Sequence, residues 1–190
     1  MRAYQIQDGW SFDNIRFTEL PDPTPGPGEV LVQMKAASLN YRDLVVPQRG
    51  YGHKTGTLPL IPISDGMGEV VAVGDRVIAQ MQTGGLAEVV TVPATNVWKV
   101  PDGIHLSKCA NLGRNFFPAY HSLKTLGDVG PGSLVLVDGA SGGVGMAAVE
   151  LAKAMGAKVI AGVSVAEKQI PFVRTFGNLF NFVNENIIRA

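Results

Sequence analysis

The sequence predicts an α/β chain in which a mostly antiparallel β domain precedes a partial, doubly wound parallel sheet. Short apolar runs separated by Gly and Pro fill residues 1–100, which is typical of strands joined by tight turns. From Ser133 onward, an apolar run, a glycine loop and a helical pattern ending at Gly156 follow one another. We therefore predict two domains, residues 1–105 and residues 106–190.

Four segments of the first domain have the composition of β-strands and are bounded by Gly, Pro or Asp. They are residues 29–34, 68–73, 76–80 and 87–92. Several short strands with turn residues between them are typical of a compact antiparallel domain. Only Gly74 and Asp75 separate the second segment from the third, so the sequence predicts a very short connection there.

The second domain opens with apolar residues at roughly helical spacing, namely Leu106, Ala110, Leu112, Ala119, Tyr120 and Leu123. Residues 134–137 then form a predicted strand, residues 146–155 a helix and residues 158–163 a second strand. Because the helix would connect the two strands as a crossover, we expect them to be parallel. A helix over residues 167–176 and a strand over residues 179–183 would complete βαβαβ, about half of a doubly wound sheet.

The loop between the first parallel strand and its helix has the spacing of a dinucleotide-binding fingerprint. It comprises Ala140, Ser141, Gly142, Gly143, Val144 and Gly145, with alanine at the first fingerprint position. Gly142 would let a pyrophosphate approach the backbone, and Gly145 would let the helix pack closely on the strand. The helix N-terminus would offer N–H groups and partial positive charge to the phosphates. The alternative is a glycine-rich turn that only joins a strand to a helix.

The end of the second parallel strand bears on the choice between NAD and NADP. A site for NAD usually has Asp or Glu there, whereas this chain has Gly162, Val163 and Ser164. The hydroxyl of Ser164 and the cation of Lys168 are suited to a 2′-phosphate, although Glu167 would offset part of the attraction. We therefore predict NADPH rather than NADH. The alternative for Lys168 is a solvated surface lysine.

Composition argues against several classes of function. The 16 Lys and Arg residues equal the 16 Asp and Glu residues, so no overall charge would attract nucleic acid. No apolar stretch is long enough to cross a bilayer, so we expect no membrane association. Cys109 is the only cysteine, which excludes a multi-cysteine zinc site and fits a cytoplasmic location. His53, His105 and His121 stand apart without partners at ligand spacing, so we predict no metal.

Motifs along nearly the whole chain occur in a characteristic order. They are residues 25–32, 38–43, 65–70, 85–88, 92–94, 99–103 and 119–123, followed by the glycine loop. In this order they resemble the medium-chain dehydrogenases/reductases, and within them the zinc-independent, quinone oxidoreductase-like branch. The resemblance implies a GroES-like, mostly β N-terminal domain and a Rossmann domain. It also implies hydride transfer between NADPH and a quinone, an enone or a related carbonyl or alcohol.

The resemblance also implies roles for three residues of the first domain. Asn40 and Tyr41 would polarise the substrate oxygen in place of zinc, and Asp43 would orient them. Zinc-dependent relatives carry a ligand Cys where this chain has Asn40, and Gly-His-Glu where it has Ser64–Gly66. The alternative is that Tyr41 packs at a strand end and Asp43 caps the following turn or helix.

Relatives continue through the second half of the Rossmann sheet, whereas this sequence stops at Ala190. A half-sheet would expose an apolar edge, so we expect a homo-oligomer such as a dimer, or a completing chain. Three interpretations stay open: an active oxidoreductase completed by a partner subunit, a nucleotide-binding protein without turnover, and a truncated or engineered fragment. The expected substrate in the first case is a small molecule.

Overall fold

The computed structural model describes residues 1–105, 109–163 and 180–182. Contacts between Cα atoms divide the chain into two compact units, Met1–Arg114 and Asn115–Ala190. The domain boundary expected between residues 105 and 106 adjoins residues outside the described part, and it stays a prediction.

The first unit contains two antiparallel sheets. A hairpin is formed by β1 (Arg2–Ile6) and β2 (Ile15–Glu19), with a 3₁₀ turn at Phe12–Asn14 between them. The main sheet consists of β3 (Glu29–Ala37), β4 (Asp65–Val70), β5 (Arg76–Gln80), β6 (Val89–Pro93) and β7 (Val97–Lys99). Its strand order is β6-β3-β4-β5-β7, and every pair in it is antiparallel. The predicted antiparallel β domain is therefore confirmed.

Helical segments of the first unit are short and lie between the strands. They are α1 (Tyr41–Val45) and the 3₁₀ turns Val46–Gln48, Gly52–Thr55 and Ala94–Asn96. The N–H of Asn40, the residue before α1, donates to the carboxylate of Asp43 at 2.8 Å. This bond fixes where the helix begins.

The connection between β4 and β5 differs from the prediction. A strand was expected over residues 68–73, but β4 ends at Val70. The Gly74 N–H donates to the Val70 carbonyl at 2.7 Å, and Gly74 has a positive φ of 71°. The chain therefore turns back earlier, and Val73 lies in the turn with 69% of its surface exposed. The prediction was wrong here because residues with strand-forming composition do not determine where the pairing between two strands ends and the turn begins.

The core of the first unit lies against the main sheet. Val32 of β3 and Val92 of β6 have no exposed surface and belong to one apolar cluster with residues of β5. Along β6, Val90 and Val92 are buried while Val89 and Thr91 are half-buried, which is the alternation expected of a strand with one buried face. The buried face of β6 therefore contributes Val90 and Val92 to the apolar core of this unit.

The second unit is built on a parallel sheet. Its described strands are β8 (Leu134–Val137), β9 (Lys158–Gly162) and β10 (Phe180–Phe182), in the order β10-β9-β8. A π-helical segment, Leu112–Phe116, begins in the first unit and leads into a short helix, α2 (Phe117–Tyr120), which a second π-helical segment, His121–Leu126, follows. A longer helix, α3 (Gly143–Ala154), connects β8 to β9.

The predicted parallel βαβ unit is confirmed by β8, α3 and β9. Helix α3 starts at Gly143 rather than at residue 146, so the glycine loop supplies its first turn. The helix predicted over residues 167–176 lies outside the described residues. The core of this unit includes Leu123, Val149 and Val159. Among the described residues, no helix has the length and apolar character needed to span a bilayer.

Replacing Val92 by alanine should destabilise the protein by about 2 kcal/mol, because two buried methyl groups are lost and a cavity remains. Val73→Ala is the matched control, and we expect a change within about 0.5 kcal/mol for its exposed turn position. Urea denaturation followed by circular dichroism measures both. Equal effects of the two substitutions would contradict the placement of the core.

Candidate functional site

A residue in the left-handed conformation precedes the glycine loop of the second unit. Gly139 follows β8 with a positive φ of 64°, a conformation that costs glycine little. The next residue, Ala140, has no exposed surface, and its N–H donates to the Gly162 carbonyl at 2.8 Å. The loop is therefore tied to the end of β9.

Gly145 lies where the helix comes closest to this turn. A Cβ atom at Gly145 would stand 2.7 Å from the Ala140 Cα atom, closer than real Cβ contacts allow. The backbone of α3 and the backbone of the turn therefore touch directly, as the sequence argument for Gly145 expected. Any side chain there would push the helix away from the turn.

The start of α3 is open to solvent. Gly142 precedes the helix in an extended conformation, and Gly142, Gly143 and Val144 are all exposed. The first N–H groups of any helix lack intrahelical partners, and the helix dipole makes this end partially positive. Gly142 and Gly143 carry no side chain that would obstruct an anion, and the Asn115 side chain lies against Gly143, so a pyrophosphate fits best at Gly142. Ser141 is half-buried beside them.

The residues expected to distinguish NADPH from NADH are Ser164 and Lys168. Both lie outside the described residues, so their role stays a prediction. Strand β9 ends at Gly162 and Val163 follows it, and neither residue carries a carboxylate.

A second group of polar residues lies within the first unit, around Asn40. Its side-chain Nδ2 donates to Asp65 Oδ1 at 2.9 Å and lies 3.3 Å from both the carbonyl and the hydroxyl oxygen of Ser38. An amide has two N–H donors, and here both are directed at these partners. The Ser38 N–H also donates to the Asp65 carbonyl at 3.3 Å. Residues 38–40 are thus bound to the start of β4 through main chain and side chain.

Asp65 is a fully buried carboxylic acid. Its exposed fraction is 0%, and its second oxygen, Oδ2, accepts the Arg114 N–H at 3.2 Å. Burial raises the pKa of Asp65 from 3.8 to about 6, and the nearby Asp43 adds to this. The hydrogen bonds from Arg114 and Asn40 and the Arg114 charge act in the opposite direction.

Asp43 and Tyr41 occupy the first turn of α1. Besides accepting the Asn40 N–H, Asp43 donates its own N–H to the Asn40 carbonyl at 2.9 Å. The carboxylate thus caps the helix, as the alternative interpretation of Asp43 proposed, and it also holds Asn40. Burial raises the pKa of Asp43, and the hydrogen bond from the Asn40 N–H offsets part of this rise. Tyr41 is 78% exposed, so it does not pack at a strand end as that alternative expected.

A cavity of about 340 Å³ opens beside Asn40 and Asp43. Most of its wall is apolar and includes Phe12, Ile15, Leu39, Leu44, Pro47 and Ile63. Apolar walls with a few polar groups are typical of small-molecule sites. The arrangement can accept the apolar body of a small molecule.

Within residues 1–105, 109–163 and 180–182, no three His, Cys, Asp or Glu residues are grouped so that they could hold a metal ion. His53, His105 and His121 belong to this searched part of the chain. Zinc independence stays a prediction.

Sequence reasoning missed two members of this site. Asp65 stands in a run of apolar and glycine residues, and an acidic residue in such a run was a signal that it is buried with partners. Arg114 carried no comparable signal. Its Nη2 donates to the Met81 carbonyl at 2.9 Å, which only the folded chain reveals.

Comparison with known proteins shows what the chain is similar to. Residues 26–102 match the model of the alcohol dehydrogenase GroES-like domain. The human synaptic vesicle membrane protein VAT-1 homolog is 34% identical over 179 residues, which are 88% of this chain and 45% of that protein. The quinone oxidoreductase-like protein 2 homolog of Nematostella vectensis is 33% identical over 195 residues, which are 96% of this chain and 50% of that protein.

A solved structure agrees with these relatives. The quinone oxidoreductase of Thermus thermophilus superposes with a TM-score of 0.77 and 31% identity, over 95% of this chain and 60% of that one. The chain is similar to the quinone oxidoreductase-like medium-chain dehydrogenases/reductases. The predicted fold, a GroES-like domain followed by a partial Rossmann domain, is thereby confirmed. The chain spans about half the length of the curated relatives described above.

Gly145→Ala should destabilise the second unit by about 1–3 kcal/mol, because the new methyl group forces the helix away from the turn. Gly130→Ala is the matched control in the same unit, since a Cβ there meets no atom within 4 Å. Thermal unfolding of both variants measures the difference. A Gly145→Ala protein as stable as the control would contradict the close approach of α3.

The buried Asp65 should make stability depend on pH. Its pKa is raised on folding, so its contribution is fully present below about pH 4 and is lost as the pH rises through about 6. The loss amounts to about 3 kcal/mol across this window. Denaturant titrations between these pH values should show this decline relative to Asp65→Asn, which cannot ionise there. A parallel pH dependence of both proteins would contradict the buried acid.

Proposed function

We propose that the chain is an NADPH-dependent oxidoreductase that transfers hydride, without zinc, between nicotinamide and a quinone, an enone or a related carbonyl or alcohol. The observation that carries this proposal is the glycine loop, where Gly145 lets α3 contact the turn and Gly142 and Gly143 leave the helix start open. Similarity to quinone oxidoreductases supports it, as does the NADPH complex described for the Thermus quinone oxidoreductase.

The loop residues Ala140–Gly145 would hold the pyrophosphate through main-chain N–H groups. Ser164 and Lys168 would bind the 2′-phosphate, a proposal supported by the sequence alone. Bound NADPH would supply the hydride. The chain's own task is then to fix the phosphates at the start of α3 and to bind the substrate in the other unit's polar group and cavity.

Reduction of a carbonyl places negative charge on its oxygen, which a hydrogen-bond donor stabilises. Tyr41 and Asn40 are the donors we propose, with Asp43 orienting them. The Tyr41 side chain is exposed and therefore accessible to a substrate, whereas both N–H groups of Asn40 are directed at Asp65 and Ser38. We therefore assign the first donation to Tyr41 and a supporting role to Asn40.

The apolar cavity beside Asn40 supports a quinone or enone over a polar substrate. Its walls would bury a ring or an alkyl chain, while the carbonyl oxygen remains at the polar end marked by Asn40 and Asp43. Burial of apolar surface would supply binding free energy, and the few polar groups would set orientation.

We also propose a cytoplasmic protein that forms a dimer or associates with a completing chain. Balanced charge and the single Cys109 support the location. Leu134 and Leu136 of β8, which are 68% and 70% exposed, support an association.

A second candidate is a nucleotide-binding protein without turnover. It is supported by the open glycine loop at the start of α3, which by itself accounts for binding of a nucleotide and requires no reaction. Consumption of NADPH in the presence of a quinone distinguishes the two candidates.

The test is a titration of the purified chain with NADPH and with NADH, following nicotinamide fluorescence and melting temperature together. We expect stabilisation by NADPH and little by NADH. Lys168→Ala should raise the Kd for NADPH about tenfold, because a charge-assisted contact to phosphate is lost. Lys158→Ala, at an exposed lysine of β9, is the matched control.

The same samples then receive a quinone and an enone, and absorbance follows NADPH oxidation. Binding with oxidation supports the oxidoreductase, and binding without oxidation supports the second candidate. If neither NADPH nor NADH binds, the oxidoreductase and the nucleotide-binding protein are both overturned as proposals.

A further inference from the structure

Asp65 is the most enclosed ionisable group of the first unit's polar cluster, and the proposed reaction does not yet use it. It is fully buried at the first position of β4. Burying a carboxylate costs free energy unless donors satisfy it. Two donors do so here: the Asn40 side chain at 2.9 Å and the Arg114 main chain at 3.2 Å.

These contacts restrain the segment that leads into α1. The Asp65 carbonyl accepts the Ser38 N–H at 3.3 Å, and its carboxylate accepts the Asn40 amide. On the other side, the Asn40 N–H donates to Asp43. Asn40 is therefore held by Asp65 through its side chain and by Asp43 through its main chain.

Tyr41 is the residue that follows this double restraint. It is the first residue of α1, and its own side chain is 78% exposed. The position from which its side chain can reach a substrate therefore depends on where α1 begins, because the ring has little packing of its own. That starting point is set by Asn40 and its two acidic partners.

We propose that Asp65 is a positioning residue that fixes Asn40, and through it the start of α1 and the direction in which Tyr41 donates to the substrate. This inference rests on the proposed function, in which Tyr41 stabilises the charge on the substrate oxygen. Asp65 touches neither substrate nor cofactor in this role. It acts by holding one conformation of residues 38–41.

Two ionisable groups shift the pKa of Asp65: Asp43, which belongs to α1, and Arg114, which lies at the end of the first unit. Arg114 favours the ionised carboxylate through its N–H and its charge, while Asp43 opposes ionisation. Protonation would place a hydrogen on one of the two Asp65 oxygens, and that oxygen would then accept less well from its donor, Asn40 on Oδ1 or Arg114 on Oδ2. The restraint on Asn40 is therefore complete only with the ionised acid.

The experiment combines a spectroscopic titration with kinetics on the full chain. In the wild-type protein, the ¹⁵N resonance of the Asn40 side-chain amide should titrate with a midpoint near pH 6, following Asp65. In Asp65→Asn this midpoint should vanish. Asp102→Asn, at an exposed aspartate of the same unit, is the control and should retain it.

For kinetics with NADPH and a quinone, Asp65→Asn should lower kcat about 10- to 100-fold, as expected when a donor is misplaced. The KM for NADPH should stay within about twofold, because the glycine loop belongs to the other unit. The acidic limb of the wild-type kcat profile near pH 6 should also disappear. Asp102→Asn should keep the wild-type constants.

The inference would be overturned if the ¹⁵N resonance of the Asn40 side-chain amide did not change with pH in the wild-type protein. It would also be overturned if Asp65→Asn kept the wild-type kcat. If Asp65→Asn does not fold, the wild-type titration decides. If the wild-type chain oxidises no NADPH, the proposed function fails, whereas the amide titration still decides whether Asp65 controls Asn40.

Discussion

The hydrogen bond between the Asn40 amide and the buried Asp65 carboxylate joins three parts of the first unit. It links the end of the segment after β3, the start of β4 and, through Arg114, the end of the unit. A carboxylate without exposed surface is tolerated only while its acceptors are satisfied. The geometry of α1, and therefore of Tyr41, depends on this requirement.

The two candidate sites are built in different ways, one in each unit. In the second unit, the absence of side chains matters: Gly145 admits the turn, and Gly142 leaves the helix start open. In the first unit, buried side chains matter, because Asp65 and Asp43 hold Asn40 from two directions. A loop that binds phosphate needs an accessible backbone, whereas a donor to a substrate oxygen needs a fixed direction. Each solution suits the group that we propose it binds.

Features that depend on local sequence could be predicted. The parallel βαβ unit follows from an apolar run, a glycine loop and a helix ended by Gly156, which has a positive φ of 84°. The spacing of Gly142 and Gly145 likewise indicated their geometry. The end of β4 could not be predicted, since Val71 and Val73 have strand composition but lie in a turn closed by main-chain hydrogen bonds. The role of Asp65 was not predicted for a related reason, because its partners are distant in sequence.

The pairing of Asn40 with Asp65 also bears on zinc. By resemblance, these are positions at which zinc-dependent relatives place a Cys ligand and the His of Gly-His-Glu. Here the two side chains stand 2.9 Å apart, joined by a hydrogen bond. The nitrogen of an amide is a donor and offers no lone pair to a metal, and both Asp65 oxygens already accept hydrogen bonds. A cation bound there would compete with Asn40 and Arg114 for the oxygens of a buried acid. The hydrogen bond thus provides the connection between the two segments that a shared metal ion would otherwise supply, and it supports the proposal of a reaction without zinc.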